Sequence, residues 1–441
     1  MQTGDSLPGV ITTFYSYKGG TGRSMLLANI ACLAARALAD TDRVLMIDWD
    51  LEAPGLHRYF PKSERGDNAE RLGLIDYFSC LNSMLDDDTY ARLYVANAGR
   101  ALESILPINE YIAREVAERV DLIKAGRFSE DHSNLIGSFN WADFYRRRDR
   151  VYRAFCEYIA SKYRWCFIDS RTGFSDVSGV CTMIMPEKLV TVFTLNNQSL
   201  EGVLDIIGRA VEYRRKSDDP RPLTVFPLPS RIIAEEQLLL EAAQKRYRRL
   251  FEECLKDAYQ LEECDLDSYF KEVAIPHKGF YGFQERVAVR DDSSATDALS
   301  INRAYERFLQ RLITLHCAWE PISETESSLL AQKRTDAADQ ALSKSRLRRV
   351  TTLSLSVVLM LLVIAIATAW YARRQVTIAT TAATTAQSQF LALKSTQATA
   401  KGDSTKGIQL ALEALPPNGP IPYLPEAVAP YTRRSLRLKN Q

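Results

Sequence analysis

The strongest chemical signal in this 441-residue chain is the run Lys18-Gly19-Gly20-Thr21-Gly22-Arg23-Ser24. A loop that wraps phosphate must turn its backbone N–H groups inward without side-chain obstruction, and glycines at 19, 20 and 22 allow that. The apolar, helically spaced run that follows, Met25–Ala39, offers the positive end of a helix to the anion. Ser24, in the first turn, supplies the hydroxyl that a phosphate-bound Mg²⁺ needs. Lys18 and Arg23 bracket the cradle with positive charge. Against the general pattern G-x-x-x-x-G-K-[ST], Tyr17 stands at the first glycine position and Arg23 where lysine is usual. Guanidinium is larger than ammonium and forks its donors, so the exchange is not conservative at a packed phosphate. It leaves binding intact and puts the hydrolysis rate in question.

Such a loop has to be held by strands. Val10–Ser16 is a β-branched and aromatic run that leads into it, and Val44–Trp49 is a second strand, closed by Asp48 and Asp50. Val120–Lys124, Trp165–Ile168 (ending at Asp169), Leu189–Leu195 and Leu223–Phe226 are further short strands. Helical pattern separates them. Strands alternating with helices predict an α/β fold with a doubly wound, mostly parallel sheet covered on both faces. Asp48, Asp50 and Asp169 then lie at carboxyl ends of strands, where such sheets bind ligands. The charged stretch Arg231–Lys271 reads as paired helices and Ile301–Ala318 as a closing helix.

The loop KGG-x-G-R-S after a strand resembles the deviant Walker A motif of the MinD/ParA class of P-loop ATPases. VLMIDWDLEAPG (Val44–Gly55) and YRWCFIDSRTGFSD (Tyr163–Asp176) stand in that class's switch I and Walker B places. With arginine at position 23 the chain is similar to the bacterial KGGVGR-motif subgroup, met in defence gene contexts, over about residues 8–320. The resemblance implies ATP and Mg²⁺ as ligands and a P-loop NTPase fold. It implies that Lys18 reaches a partner's phosphates across a nucleotide-sandwich homodimer. Gly19, Gly20, Thr21, Gly22, Arg23 and Ser24 would bind phosphate and metal, Asp50 would orient the attacking water, and Asp48 and Asp169 would support the metal. Pro229-Ser230-Arg231 and Ile275-Pro276-His277 fall where related ATPases form the base pocket, and also read as plain structural turns.

The formal charge of +1 hides an uneven distribution. Residues 1–320 carry 41 Lys and Arg against 48 Asp and Glu, residues 321–349 carry 6 against 4, residues 350–371 none, and residues 372–441 carry 9 against 3. The charge-free block Val350–Tyr371, 22 residues, is long enough at about 1.5 Å per residue to cross a ~30 Å hydrocarbon core. Lys333, Arg334, Lys344, Arg346, Arg348 and Arg349 precede it, while Arg373 and Arg374 follow. This asymmetry predicts a single-pass inner-membrane protein with its N-terminal part in the cytoplasm, Trp370 and Tyr371 anchoring the far end. The expected organisation is an ATPase domain at 1–320, a polar helical stalk at 321–349, a transmembrane helix at 350–371 and an Ala/Thr/Pro-rich tail at 372–441. The N-terminus shows no signal-peptide pattern. Partners would be a second copy, membrane lipid and an effector protein.

Other signals read as structural. Arg146-Arg147-Arg148-Asp149-Arg150 could touch nucleic acid, but the negative balance of residues 1–320 argues against a DNA footprint. The eight cysteines include no C-x-x-C pair and the four histidines no metal-ligand spacing. Two rivals to an ATPase switch remain. A bacterial P-loop protein-tyrosine kinase shares the loop, although only Tyr423 and Tyr431 follow the span. The other is an ATP-responsive scaffold in which Arg23 has abolished turnover.

Overall fold

The computed structural model describes residues 9–415 except 40–41, 95–96, 128–131, 234–236, 292–300, 315–316 and 321–323; side chains at 324–357 are also outside the described set. Tyr423, Tyr431 and His316 therefore lie outside the described residues. Two compact units divide the chain, Met1–Ser323 and Glu324–Gln441.

The first unit is built on a seven-stranded sheet. In chain order the strands are β1 (Val10–Tyr15), β2 (Val44–Asp48), β3 (Ala113–Ala117), β4 (Val120–Ile123), β5 (Trp165–Asp169), β6 (Lys188–Phe193) and β7 (Thr224–Pro229). Their spatial order is β3-β4-β2-β5-β1-β6-β7. All pairings are parallel except β3 with β4. The α/β, doubly wound, mostly parallel prediction holds. Alternation along each central strand shows why the runs are continuously apolar. Val44, Met46, Trp165 and Phe167 face one core, while Leu45, Ile47, Cys166 and Ile168 face the other. Both faces are covered, so the strand interiors are mostly apolar, with buried exceptions such as Thr12, Thr13, Asp121 and Thr191.

The helix α1 (Arg23–Ala37) packs on the first face, with every residue from Leu26 to Ala35 buried. The helices Asn197–Lys216, Gln237–Tyr259, Asp267–Val273 and Ile301–Thr314 share that face. Opposite it, Leu74–Met84 and Trp141–Ala160 close an aromatic core around Trp49, Tyr77, Phe78 and Phe155. The sequence reading missed β3 and ran the closing helix on to residue 318. Arg114 and Glu115 in β3 are exposed, and Glu115 takes φ 51°. An antiparallel edge strand with this kink carries no apolar run to detect.

Arg146 and Arg147 pair with Asp143, and Arg148 pairs with Asp87 and lies over the Tyr90 ring. The helix kinks at Arg148, with φ −138° and ψ 38°. These three cations of the basic run are thus engaged by the protein itself.

In the second unit one helix runs without interruption from Glu324 to Ala400, 77 residues. Residues 324–349, the expected span and the Ala/Thr-rich start of the tail are therefore parts of one continuous helix. Within it Val358–Ala400 includes a stretch long and apolar enough to cross a membrane, none of it buried. Thr377, Thr380, Thr381, Thr384 and Thr385 donate their hydroxyls to carbonyls one turn back. A turn at Gly402 (φ 89°) returns the helix Ser404–Glu413, where Gly407 lies against Thr399.

Candidate functional site

β1 lies between β5 and β6, and β5 separates it from β2. The loop after β1 therefore faces the ends of β2 and β5 across the point where the winding reverses. Gly20 and Gly22 hold φ 75° and 86°. Gly22 is also the N-cap of α1, and the Leu26 N–H donates to its carbonyl at 2.9 Å. An L-residue strains in this backbone region, so the glycines are there for conformation.

Arg23, first residue of α1, is buried and points back at the strand ends. Its Nε donates to Asp169 Oδ1 at 2.5 Å and its Nη2 to Asp50 Oδ2 at 2.9 Å. Asp48 is paired in register with Asp169 on the adjacent strand, and both are fully buried. The backbone N–H groups of Asp50 and Leu56 donate to Asp48 at 3.2 and 3.1 Å. One guanidinium, three carboxylates and the start of α1 thus meet in one place.

The electrostatics follow from burial. Burial pushes the Asp48 carboxyl well above the usual range, and the charges of Asp169 and then Asp50 add to that, against the two backbone hydrogen bonds. Burial also raises Asp169, and Arg23 pulls it back. Burial works against the Arg23 charge as well, but Asp169 and Asp50 outweigh it and raise its pKa. Two buried carboxylates against one cation leave the centre short of positive charge.

That shortage is the fit test for a nucleotide with its metal. Asp169 Oδ2 and Arg23 Nη1 are buried with no hydrogen-bond partner. One is an acceptor suited to a cation's water shell, the other a donor suited to phosphate. Among the described residues no group of three or more His, Cys, Asp or Glu could hold a metal. Mg²⁺ needs no such cage, because it keeps waters and takes phosphate oxygens with one or two protein ligands. The residues fit ATP with Mg²⁺.

Lys18 is half-buried at the loop entry, and Ser24, in the first turn of α1, is half-buried too. The Ser230 hydroxyl donates to the Thr21 carbonyl at 2.9 Å. Its hydrogen bond is therefore spent on holding the loop. Arg231, with φ 56°, ends this segment. Ile275-Pro276-His277 pairs with it: Ile232 donates to the Ile275 carbonyl at 3.0 Å, and the His277 N–H donates to Ile232 at 2.8 Å. Both segments line one cavity of about 200 Å³ that begins at Gly22. Tyr59, from the turn Leu56–Tyr59, also lines it, its hydroxyl pushed up to about 12 by burial, then by Glu285 and Asp169. The sequence carried no signal for Tyr59.

Chains of known structure resemble this one in part. A ParA family ATPase from Chlorobium tepidum TLS is 17% identical, with a TM-score of 0.41, covering 70% of this chain and 100% of its own. An ATP complex of a Cyanothece McdA variant is 12% identical, TM-score 0.46, covering 72% and 100%. The septum site-determining protein MinD with Mg-ADP from Pyrococcus horikoshii OT3 is 16% identical, TM-score 0.42, covering 70% and 98%. No protein-family model and no curated protein matches the chain.

Loops after β2 and β5 also meet beyond the carboxylates. Arg171 and Glu52 form an ion pair beside a second cavity of about 250 Å³, lined by Leu51, Phe139 and Trp141.

Proposed function

We propose that the chain is a membrane-anchored ATPase switch. ATP with Mg²⁺ binds at Lys18–Ser24, two copies close face to face over it, and hydrolysis resets the pair. The observation that carries the reading is Arg23 bridging Asp169 and Asp50 at the start of a helix whose preceding loop has two left-handed glycines.

Mg²⁺, held through Ser24 with Asp48 and Asp169 behind it, would neutralise phosphate charge. The backbone of Gly19, Gly20, Thr21 and Gly22 cradles the phosphates. Arg23 supplies charge from within the same protomer and Lys18 from the other. Asp50 aligns the attacking water. Ser230 fixes the loop through Thr21, and Arg231, with Tyr59 opposite, borders the place for the base. Phosphoryl transfer asks for positioning and charge neutralisation, which these groups provide.

A second reading has its own support. Arg23 engages Asp50 Oδ2; a contact that restrains this carboxylate slows its alignment of water, and in the limit leaves a scaffold that binds ATP without turning it over. The apolar stretch within Val358–Ala400 supports anchoring in the inner membrane by composition and length. With the ATPase on the cytoplasmic side, the output is a nucleotide-dependent change in the binding of an effector protein. A role in bacterial defence rests on the subgroup resemblance alone.

Equilibrium binding of ATP to the detergent-solubilised full chain, with and without Mg²⁺, tests the nucleotide assignment. Saturable binding strengthened by Mg²⁺ and lost in Gly22→Val is expected. Binding that is equally strong in Gly22→Val removes the loop from the site.

A further inference from the structure

The phosphate loop opens on a residue that leaves a problem of space. Where the general pattern has glycine the chain has Tyr17, and its ring is accommodated by the helix Asn197–Lys216. Gly202 is buried in that helix, and a Cβ built there would lie 2.0 Å from Tyr17 Cγ and 2.3 and 2.4 Å from the two δ carbons. These atoms form the base of the ring, so an added methyl has to drive the Tyr17 side chain out of its rotamer or shift its backbone. Glycine inside a helix is unfavourable relative to alanine, so its presence here needs a local reason. The ring supplies one: the small residue missing from the loop stands on the helix that faces it.

The segment around Tyr17 is pinned twice more. The Tyr15 hydroxyl donates to the Gly173 carbonyl at 3.2 Å, and the Ser16 hydroxyl donates to the Lys18 carbonyl at 3.0 Å. Gly173 belongs to the loop after β5, and its neighbour Phe174 lies 4.7 Å from the Arg209 guanidinium. Arg209 is two turns from Gly202 on the same helix and therefore shares its face. One helix face thus holds the entry of the phosphate loop at Gly202 and the loop behind Asp169 at Arg209.

We propose that Gly202 is a positioning residue for Lys18: by admitting the Tyr17 ring it fixes the peptide that presents the Lys18 side chain. The inference rests on the reading of Lys18 as the lysine that acts on the partner's phosphates.

The test uses the full chain, with ATP affinity and phosphate release measured on Gly202→Ala, Tyr17→Ala, the double variant and Lys18→Ala. A displaced lysine lowers kcat of Gly202→Ala by about tenfold or more. ATP affinity stays within about threefold, because the rest of the cradle is untouched. With the ring removed the added methyl has nothing to displace, so the double variant turns over as Tyr17→Ala does. Should Gly202→Ala alone fail to fold, the double variant must still fold and match Tyr17→Ala. Wild-type kcat in Gly202→Ala overturns the proposal, and so does a full alanine penalty that persists in the absence of the ring. Wild-type turnover in Lys18→Ala instead removes the role of Lys18, a separate failure from that of the Gly202–Tyr17 contact.

Discussion

Arg23 and Asp169, 146 residues apart in the chain, meet through an Nε–Oδ1 hydrogen bond of 2.5 Å in a fully buried setting. The same guanidinium reaches Asp50, so one cation ties together the ends of two strands. Lysine's ammonium is a compact point charge without the planar fork, and does not reproduce the two-sided reach of the guanidinium. Arg23→Lys should therefore free Asp50, keep ATP binding within about tenfold and release phosphate faster than wild type. A phosphate-release time course on both proteins checks it. Arg23→Met removes the charge altogether and strands Asp169 beside Asp48. Breaking a buried pair in this way costs about 3–5 kcal/mol, to be read from urea unfolding.

Asp48 gives the site a pH signature. Its carboxyl is held above its ordinary value by burial and by Asp169, so the folded chain binds its proton more tightly than the unfolded chain does. Between the unfolded pKa and the raised folded one, the folded state carries more protons, and stability falls as pH rises through that window. Mg²⁺ and ATP, which compensate the charge, should flatten the decline. Melting temperatures of wild type and Asp48→Asn across mildly acidic to neutral pH show it, the difference between them narrowing when Mg²⁺ and ATP are added.

Gly22 should tolerate no side chain for reasons of backbone alone. A Cβ there would meet Ser230 Oγ at 3.7 Å, an ordinary contact, while φ stands at 86°. Gly22→Ala is therefore expected to lose about 1–2 kcal/mol of stability. ATP affinity falls with it, because the Gly22 N–H and the start of α1 shift together. Unfolding and binding measured side by side check both.

The central strands were legible because burial on both faces makes them continuous apolar runs, and the candidate carboxylates Asp48 and Asp169 stand where such runs stop. Asp48 and Asp169 could be picked out for that reason. The contact of Arg23 with Asp50 and Asp169 could not be read, because it depends on β5 lying between β1 and β2, and nothing local encodes sheet order. Tyr59 arrives at the cavity beside Gly22 through a short turn with no periodicity, and the contact at Gly202 is with a ring 185 positions away in the chain. β3 was hidden by Arg114 and Glu115, exposed residues on an edge strand.

The apolar stretch in the second unit predicts membrane integration. Leu361 and Leu362 lie inside it and are exposed. Arginine at either place costs about 2.5–3.5 kcal/mol of insertion free energy. The wild-type chain should stay with membranes through an alkaline carbonate wash, and Leu361→Arg/Leu362→Arg should be released. Retention of the double variant would show that the attachment lies elsewhere.

Phosphate release under single-turnover conditions, on wild-type full chain and Asp50→Ala with Mg²⁺ and ATP, tests the central claim most directly. The account predicts that both bind ATP and that only the wild type releases phosphate. Release by wild type no greater than by Asp50→Ala, with ATP bound to both, would contradict the ATPase assignment and leave an ATP-binding scaffold.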